Sequence, residues 1–247
     1  MNVAVVSPHP DDAEYGAGGL LAAIGASPDH DAHILCFPPQ AELSAPDATN
    51  GHVGSARDDG RLGEAAEAAR LLGVHCEAFR PRSLLDGAAA LGDIVDALQR
   101  LRPDVVVTVD PDDAHPFHRQ VARWVEDAVF LAQLPSGDGP VLPAPPQLLL
   151  MEAYTTRRFE PDVLVDVTEW FPTARRALLT HRTGVRITPG LEYQMRVSRQ
   201  RHGCRAAVPF AEGFRLQHQF GQDWVASRMA LFRFLAELDH QKVGAAG

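Results

Sequence analysis

The stretch Val3-Ala4-Val5-Val6-Ser7-Pro8-His9-Pro10-Asp11-Asp12-Ala13-Glu14 joins a short apolar run to a turn dense in chemically active side chains. Small and β-branched residues in succession, without polar alternation, read as a strand buried on both faces of a parallel sheet. Pro8 and Pro10 lack the amide hydrogens a ladder needs, so the strand ends there and the chain turns outward. His9, Asp11 and Asp12 are thereby fixed at the carboxyl end of the first strand, where open α/β sheets place their ligands. A His with an Asp three positions later suits a divalent ion such as zinc, which takes nitrogen and oxygen donors. Asp11 would point elsewhere, towards a water held by such an ion. While this stretch stands alone, a solvated acidic turn is the alternative.

The geometry repeats later in the chain. Arg102-Pro103-Asp104 introduces Val105-Val106-Val107-Thr108-Val109, followed by Asp110-Pro111-Asp112-Asp113-Ala114-His115-Pro116-Phe117-His118 and then a helical pattern from Arg119. Two such turns on neighbouring parallel strands would bring His9 and Asp12 together with one of His115 or His118. Three protein ligands with an open fourth position is the composition of a catalytic zinc site, whereas structural zinc sites are closed and usually thiolate-rich.

Around these turns strand and helix patterns alternate. Gly16-Ala17-Gly18-Gly19 opens a helix to about Ile24; its glycine spacing does not fit a dinucleotide fingerprint, but lets the helix start pack close to the sheet. Further strands are expected at 33–37 and 75–79. Helices are expected at 57–72, with Ala65, Ala68, Ala69 and Leu72 on one face and Gly73 as its stop, and at 91–101 and 118–133. This alternation predicts a Rossmann-like, doubly wound, mostly parallel α/β sheet over residues 1–134. Residues 38–56 form a long polar loop, a candidate substrate lid. Beyond Leu134 a proline-rich crossing leads to strands at 147–153 and 163–167 and a helix capped by Thr168 and running to His181. A turn at 184–190 and helices at 191–202 and 224–238 follow. Residues 135–247 read as a smaller carboxyl-terminal layer that walls the site within a single domain, 1–247, with a frayed tail from Val243.

Composition narrows the function. The 247 residues are 45% hydrophobic and 22% charged, ordinary for a soluble globular chain. A net charge of −9 argues against non-specific nucleic-acid binding and against anionic membrane surfaces. Cys36, Cys76 and Cys204 show no paired spacing and read as reduced, buried, small apolar residues. Met1 runs straight into a core strand and no apolar run is long enough to span a bilayer, so a cytoplasmic enzyme without a membrane anchor is expected.

Taken together, these motifs resemble the zinc-dependent de-N-acetylases of the PIG-L/LmbE-like superfamily. The first family motif, (A/P)HPDD(A/E)E, is matched by Pro8 to Glu14, and the second, HPDH or HxxH, by His115 to His118. In the family's order stand also Arg61-Leu62-Gly63-Glu64 running to Leu72-Gly73-Val74, Arg102-Pro103-Asp104, Val165-Asp166-Val167-Thr168 and Ala211-Glu212-Gly213-Phe214-Arg215. The likeness covers about residues 1–215. It implies a metal-dependent hydrolase that removes an acetyl, or another small acyl, from an N-acylated amino sugar or its glycoconjugate. It implies that His9, Asp12 and His118 bind Zn2+, with Fe2+ or Co2+ able to replace it. Asp11 is implied as general base and proton carrier to the departing amine, and His115 as oxyanion stabiliser, against the plainer reading of a surface turn histidine. Arg61 and Asp86 match substrate-contacting positions, although Arg61 would also suit an ion pair with Glu64. Glu14 suits a supporting or helix-start role, Asp166 and Glu212 structural ones. The other histidines, His30, His33, His52, His75, His181, His202, His218 and His240, lack ligand spacing and read as surface or packing residues.

One departure stands out. Phe117 occupies the position where the family's second motif carries an aspartate that would orient a histidine. Either Asp112 or Asp113 substitutes from the preceding turn, or His115 is less often charged. The alternatives to a sugar deacetylase are an amidase of a thiol–sugar conjugate and a non-catalytic sugar- or metal-binding relative. The family's frequent multimers make a homo-oligomer an open expectation.

Overall fold

Alternate side chains of β1 (Asn2–Ser7) feed two different cores. The computed structural model describes residues 1–38, 59–79, 87–135, 140–220 and 222–240; Asp86 and, Pro38 apart, the candidate lid at 38–56 lie outside them. From β1 the chain continues through α1 (Asp12–Gly25), β2 (Asp31–Cys36), α2 (Asp59–Leu72), β3 (His75–Ala78), α3 (Gly87–Leu101), β4 (Val105–Val109) and α4 (Pro116–Leu131). Val3 and Val5 pack with Leu20 and Ile24 of α1 and Ala68, Ala69 and Leu72 of α2 on one side of the sheet. Ala4 and Val6 pack with Ile94 and Leu98 of α3 and Val121 and Val125 of α4 on the other. A strand that must satisfy two apolar layers has no polar alternation, which is why the runs at 3–6 and 105–109 are apolar except for Thr108, whose hydroxyl donates to the Val6 carbonyl at 2.9 Å.

The second half of the chain joins the same sheet. β5 (Gln147–Met151), β6 (Val163–Asp166), α5 (Phe171–Leu178), α6 (Arg182–Ile187), α7 (Leu191–Ala206), β7 (Ala211–Gln217) and α8 (Trp224–His240) follow in that order. Among the described residues the sheet has seven strands in the order β3-β2-β1-β4-β5-β7-β6. β3, β2, β1, β4 and β5 are parallel, whereas β7 runs antiparallel to both β5 and β6. The parallel part therefore does not end at residue 134: β5 is its fifth strand, beyond the proline-rich crossing. Chain order reverses between β1 and β4, the switch point at which open α/β sheets leave a crevice beyond their carboxyl ends.

Several boundaries differ from the sequence reading, each for a local reason. α1 begins at Asp12, not near Gly16; Asp12 and Glu14 occupy its first turn, where the helix dipole favours carboxylates. It kinks at Ala17 (φ −140°, ψ 17°). Glu212 accepts the amides of Gly19 and Leu20, each at 2.8 Å, just past the kink. Buried Arg199 reaches the same carboxylate at 3.3 Å and also donates to the Tyr15 carbonyl. Packing is close here: a Cβ added at Gly19 would lie 2.5 Å from Val167 Cβ. Thr168 caps no helix. Its amide bonds Asp166 and its hydroxyl the Phe210 carbonyl; the helix expected to run to His181 is α5, which ends at Leu178, and α6, with His181 at its N-cap, extends into the 184–190 segment expected as a turn. β7 was not foreseen as a strand. Gly73 does end the α2 segment in a left-handed conformation (φ +74°). Of the cysteines, Cys36 is buried, Cys76 half-buried and Cys204 exposed, and all are free. No helix among the described residues is long and apolar enough to cross a membrane.

Candidate active site

β1 and β4 pair side by side in parallel register, so the two turns beyond them open into one crevice. The Ser7 hydroxyl donates to the His9 carbonyl at 2.7 Å, tightening the first turn. Asp12 Oδ2 accepts the His9 backbone amide at 2.9 Å. In the second turn, His115 stands at the N-cap of α4 and Pro116 opens the helix, where its missing amide costs nothing. That places His118 in the first helical turn rather than in the loop before it. His9, Asp11, Asp12 and His118 are all buried; His115 is half-buried.

His9, Asp12 and His118 converge. His9 Nδ1 lies 3.0 Å from Asp12 Oδ2 and 3.0 Å from His118 Nε2, and His118 Nε2 lies 3.3 Å from Asp12 Oδ2. A tetrahedral ion with bonds of 2.0–2.1 Å requires donor atoms about 3.3 Å apart, so the three atoms are spaced to share one. The second oxygen, Asp12 Oδ1, is buried with no hydrogen-bond partner among the described residues. The donor set is two imidazoles and a carboxylate, with no thiolate, which suits zinc and the neighbouring divalent transition ions. His115 also brings a ring nitrogen into the group: His9, His115 and His118 offer ligand atoms within 4.8 Å of one another.

Charge in this crevice is strongly coupled. Burial alone would raise the Asp12 pKa, but the charge and hydrogen bond of His118, with those of His9, hold it well below the usual carboxylate range. Burial likewise opposes a charge on His118, yet Asp12 and Asp113 at its two nitrogens outweigh that and push its pKa up to about 10. The two carboxylates thus favour a positive charge between them. Burial, reinforced by Asp12, raises the Asp11 pKa, while His181, His9 and Arg61 oppose the rise. Asp11 thus stands in a different field from Asp12, its neighbour in sequence.

Of the two aspartates in the preceding turn, Asp113 lies beside a motif histidine, and that histidine is His118. Asp113 is fully buried and its Oδ2 lies 3.2 Å from His118 Nδ1. Its carboxylate also accepts the His115 amide at 2.7 Å and the hydroxyls of Thr155 and Thr156 at 2.5 and 3.1 Å. Asp112, by contrast, faces Arg157 at 3.5 Å on the surface. The supporting carboxylate therefore backs His118, and not the ring of His115. Phe117 packs into the core against Phe37 and Trp124. His115 Nδ1 accepts the Phe117 amide at 3.3 Å, so the neutral ring carries its proton on Nε2 and is a donor there.

Arg61 is half-buried on α2 and near enough for its charge to act on Asp11. Glu64, its expected ion-pair partner, instead meets Thr183, whose hydroxyl lies 3.3 Å away. Two features escaped the sequence reading. His181, read as a surface or packing residue, is buried against Glu14 at 3.3 Å and acts electrostatically on Asp11. Gly184, on the following turn, lies directly against Asp11: a Cβ there would sit 3.2 Å from its Cγ and far closer to Oδ2. No spacing in the sequence links residues 181–184 to residues 11–14. Only the seating of α6 does.

A family model described as PIG-L, GlcNAc-PI de-N-acetylase, matches residues 4–129, which include both turns. The diacetylchitobiose deacetylase of Thermococcus kodakarensis is 28% identical over 191 residues, covering 73% of this chain and 69% of that protein. The 1D-myo-inositol 2-acetamido-2-deoxy-alpha-D-glucopyranoside deacetylase of Streptomyces griseus is 31% identical over 161 residues, 53% of this chain and 49% of that protein. The chain thus spans half the length of the Streptomyces relative. Among solved structures, the conserved protein TT1542 from Thermus thermophilus aligns with a TM-score of 0.70 at 29% identity, over 87% of this chain and 94% of that one.

Proposed function

Because the chain belongs to the PIG-L, GlcNAc-PI de-N-acetylase family, we propose that it is a metal-dependent hydrolase that removes the acetyl group from an N-acetylated amino sugar or its glycoconjugate. The observation that carries this reading is the convergence of His9 Nδ1, Asp12 Oδ2 and His118 Nε2 at 3.0–3.3 Å, with Asp11 buried beside them. The relatives' names add the substrate class, since both deacetylases act on acetamido sugars.

His9, Asp12 and His118 would hold the ion, zinc by preference. Bound there, it supplies Lewis acidity to the amide carbonyl and to the attacking water. The residues of the chain do the rest. Asp11, a carboxylate with a raised pKa, takes a proton from the water as its oxygen adds to the carbonyl carbon. When the C–N bond breaks, Asp11 passes that proton to the departing amine, leaving acetate and a free amino sugar. His115, with its proton on Nε2, donates to the carbonyl oxygen as negative charge builds; losing such a donor costs roughly 2.7–4 kcal/mol of barrier. Asp113 holds His118 in the tautomer that directs Nε2 to the ion. Arg61, whose charge acts on Asp11, would meet sugar hydroxyls, and Asp86 would take the same part from its motif position.

The non-catalytic reading drew its force from Phe117, and Asp113 against His118 weighs against it. The test is acetate release by zinc-loaded protein from free N-acetyl sugars, inositol glycosides, aminocyclitol glycosides and thiol–sugar conjugates, each with a chelator control. Chelator-sensitive release from one class is expected; release only from a thiol conjugate would favour the amidase. Stoichiometric zinc with no release from any class would overturn the enzymatic reading.

A further inference from the structure

A second group of side chains able to ligate a metal lies at the starts of β2 and β3, on the β3 edge of the sheet. In β2, period-two geometry sends Asp31 and His33 to the same face, and the parallel register sets His75 of β3 directly beside His33. The two imidazoles stack, with centroids 4.7 Å apart and planes 21° from parallel, the spacing of neighbouring strands. Both rings turn Nε2 to one carboxylate: His33 Nε2 lies 3.2 Å from Asp31 Oδ2 and His75 Nε2 3.5 Å from Asp31 Oδ1. Asp31 Oδ1 also accepts the Ala32 amide at 2.9 Å, which fixes the carboxylate's direction. The donor atoms of all three residues fall within 4.8 Å of one another.

We propose that Asp31, His33 and His75 form a second, surface site for a divalent transition ion of the zinc class. Two imidazoles and a carboxylate are a nitrogen-rich, borderline donor set, which disfavours magnesium and calcium. The spacings of 3.2 and 3.5 Å run from His33 to Oδ2 and from His75 to Oδ1 of Asp31, so each imidazole faces its own carboxylate oxygen and an ion would be held between the two rings and both oxygens of Asp31. Asp31 and His75 are exposed and His33 half-buried, so water completes the coordination shell and the ion exchanges with solvent. β2 and β3 start at this end of the sheet and run away from it, towards the end where β1 and β4 deliver the catalytic side chains. The two sites share no ligand. A bound ion here cross-links the short edge strand β3 to β2, and it stabilises the fold in proportion to its occupancy.

The test uses metal-free full-length protein titrated calorimetrically with Zn2+ alone. Wild type is expected to bind two equivalents, the second more weakly. His33→Ala and His75→Ala should each retain the first equivalent while weakening the second more than about tenfold, since even a group supporting a ligand is worth 10–100-fold in affinity. Both side chains lie outside the hydrophobic cores, so the metal-free melting midpoints should match wild type, and only the rise in midpoint at excess zinc should disappear. His118→Ala is the converse: it should lose the tight equivalent and keep the weak one. One equivalent in wild type, or a second equivalent that survives both His33→Ala and His75→Ala, would overturn the site.

Discussion

Replacing Gly184 with alanine tests the placement of the general base without touching any ionisable group. The glycine sits inside α6 with no unusual backbone angle, so alanine adopts its conformation freely and only space is at issue. A Cβ there would approach Asp11 Oδ2 to well under 3.0 Å, a distance real Cβ atoms essentially never show. To restore ordinary contact, the carboxylate or α6 must yield by roughly 1 Å, and a misplacement of that size costs on the order of 100-fold in rate. Overpacking should also cost about 1–3 kcal/mol of stability. The three atoms nearest that Cβ all belong to Asp11 and none to His9, Asp12 or His118, so zinc content should be unchanged. The assay is kcat for acetate release at saturating substrate, with zinc per chain and melting midpoint measured on the same preparation. Gly63→Ala is the control: nothing lies within 4 Å of its added Cβ, and alanine should stabilise the helix by about 0.5–1 kcal/mol. A Gly184→Ala enzyme that keeps its fold, its zinc and kcat within twofold of wild type would show that Asp11, as placed here, does not carry the proton.

Asp11→Asn should retain zinc and lose at least about 100-fold in kcat, the lower range for general acid–base catalysis; near-normal turnover would return Asp11 to a structural part. His118→Ala should lose the metal, and wild-type zinc content on elemental analysis would remove it from the ligand set. Glu212→Ala strands buried Arg199 and the Gly19 and Leu20 amides, so a loss of about 3–5 kcal/mol in denaturant unfolding is expected. Glu152 sets a pH dependence: burial raises its pKa, but His202, Ser198 and Arg201 outweigh this and bring it down to about 2 from 4.5. A carboxylate depressed in the folded state contributes stability above its unfolded pKa, and that contribution is lost as pH falls from about 4.5 towards 2, to a total of about 3 kcal/mol. The stability difference between wild type and Glu152→Gln should therefore shrink over that window, and a difference independent of pH there would contradict the assignment.

The parallel core and the ligand turns were legible because their information is local. Val3 to Val6 and, Thr108 apart, Val105 to Val109 are apolar because each must satisfy two cores, and the prolines that end them also fix the imidazoles at the strand ends. Features made by distant seating were not legible. β7 lies between β5 and β6, out of chain order, and Ala211 to Gln217 carries no β-branched side chain to announce a strand. His181 acquires its partner Glu14 only once α6 is docked. Asp31, His33 and His75 form a group through the β2–β3 register, which a spacing rule along one chain cannot see. Of the aspartates before Phe117, only geometry could put Asp113 against His118 and Asp112 against Arg157, because the two are adjacent and chemically identical.

The kink in α1 ties these levels together. His9, Asp12 and His118, the side chains proposed to hold the catalytic ion, come from the segments just after β1 and β4, inside residues 4–129 matched by the family model. The surroundings of Asp11 come from both sides of that boundary: Asp12, His9 and Arg61 act on it from within, while His181 acts on its charge, Gly184 bounds its carboxylate and Glu212 with Arg199 holds the helix that begins beside it from beyond. Glu212 accepts two amides just past Ala17 while Arg199 donates to a carbonyl just before it, so the break in α1 is satisfied on both sides by the carboxyl-terminal half. An unbroken α1 would need neither residue. The first turn of α1, which carries both Asp11 and Asp12, is thus followed by a kink whose hydrogen bonds come from the carboxyl-terminal half, and α6 of that half closes over the Asp11 carboxylate.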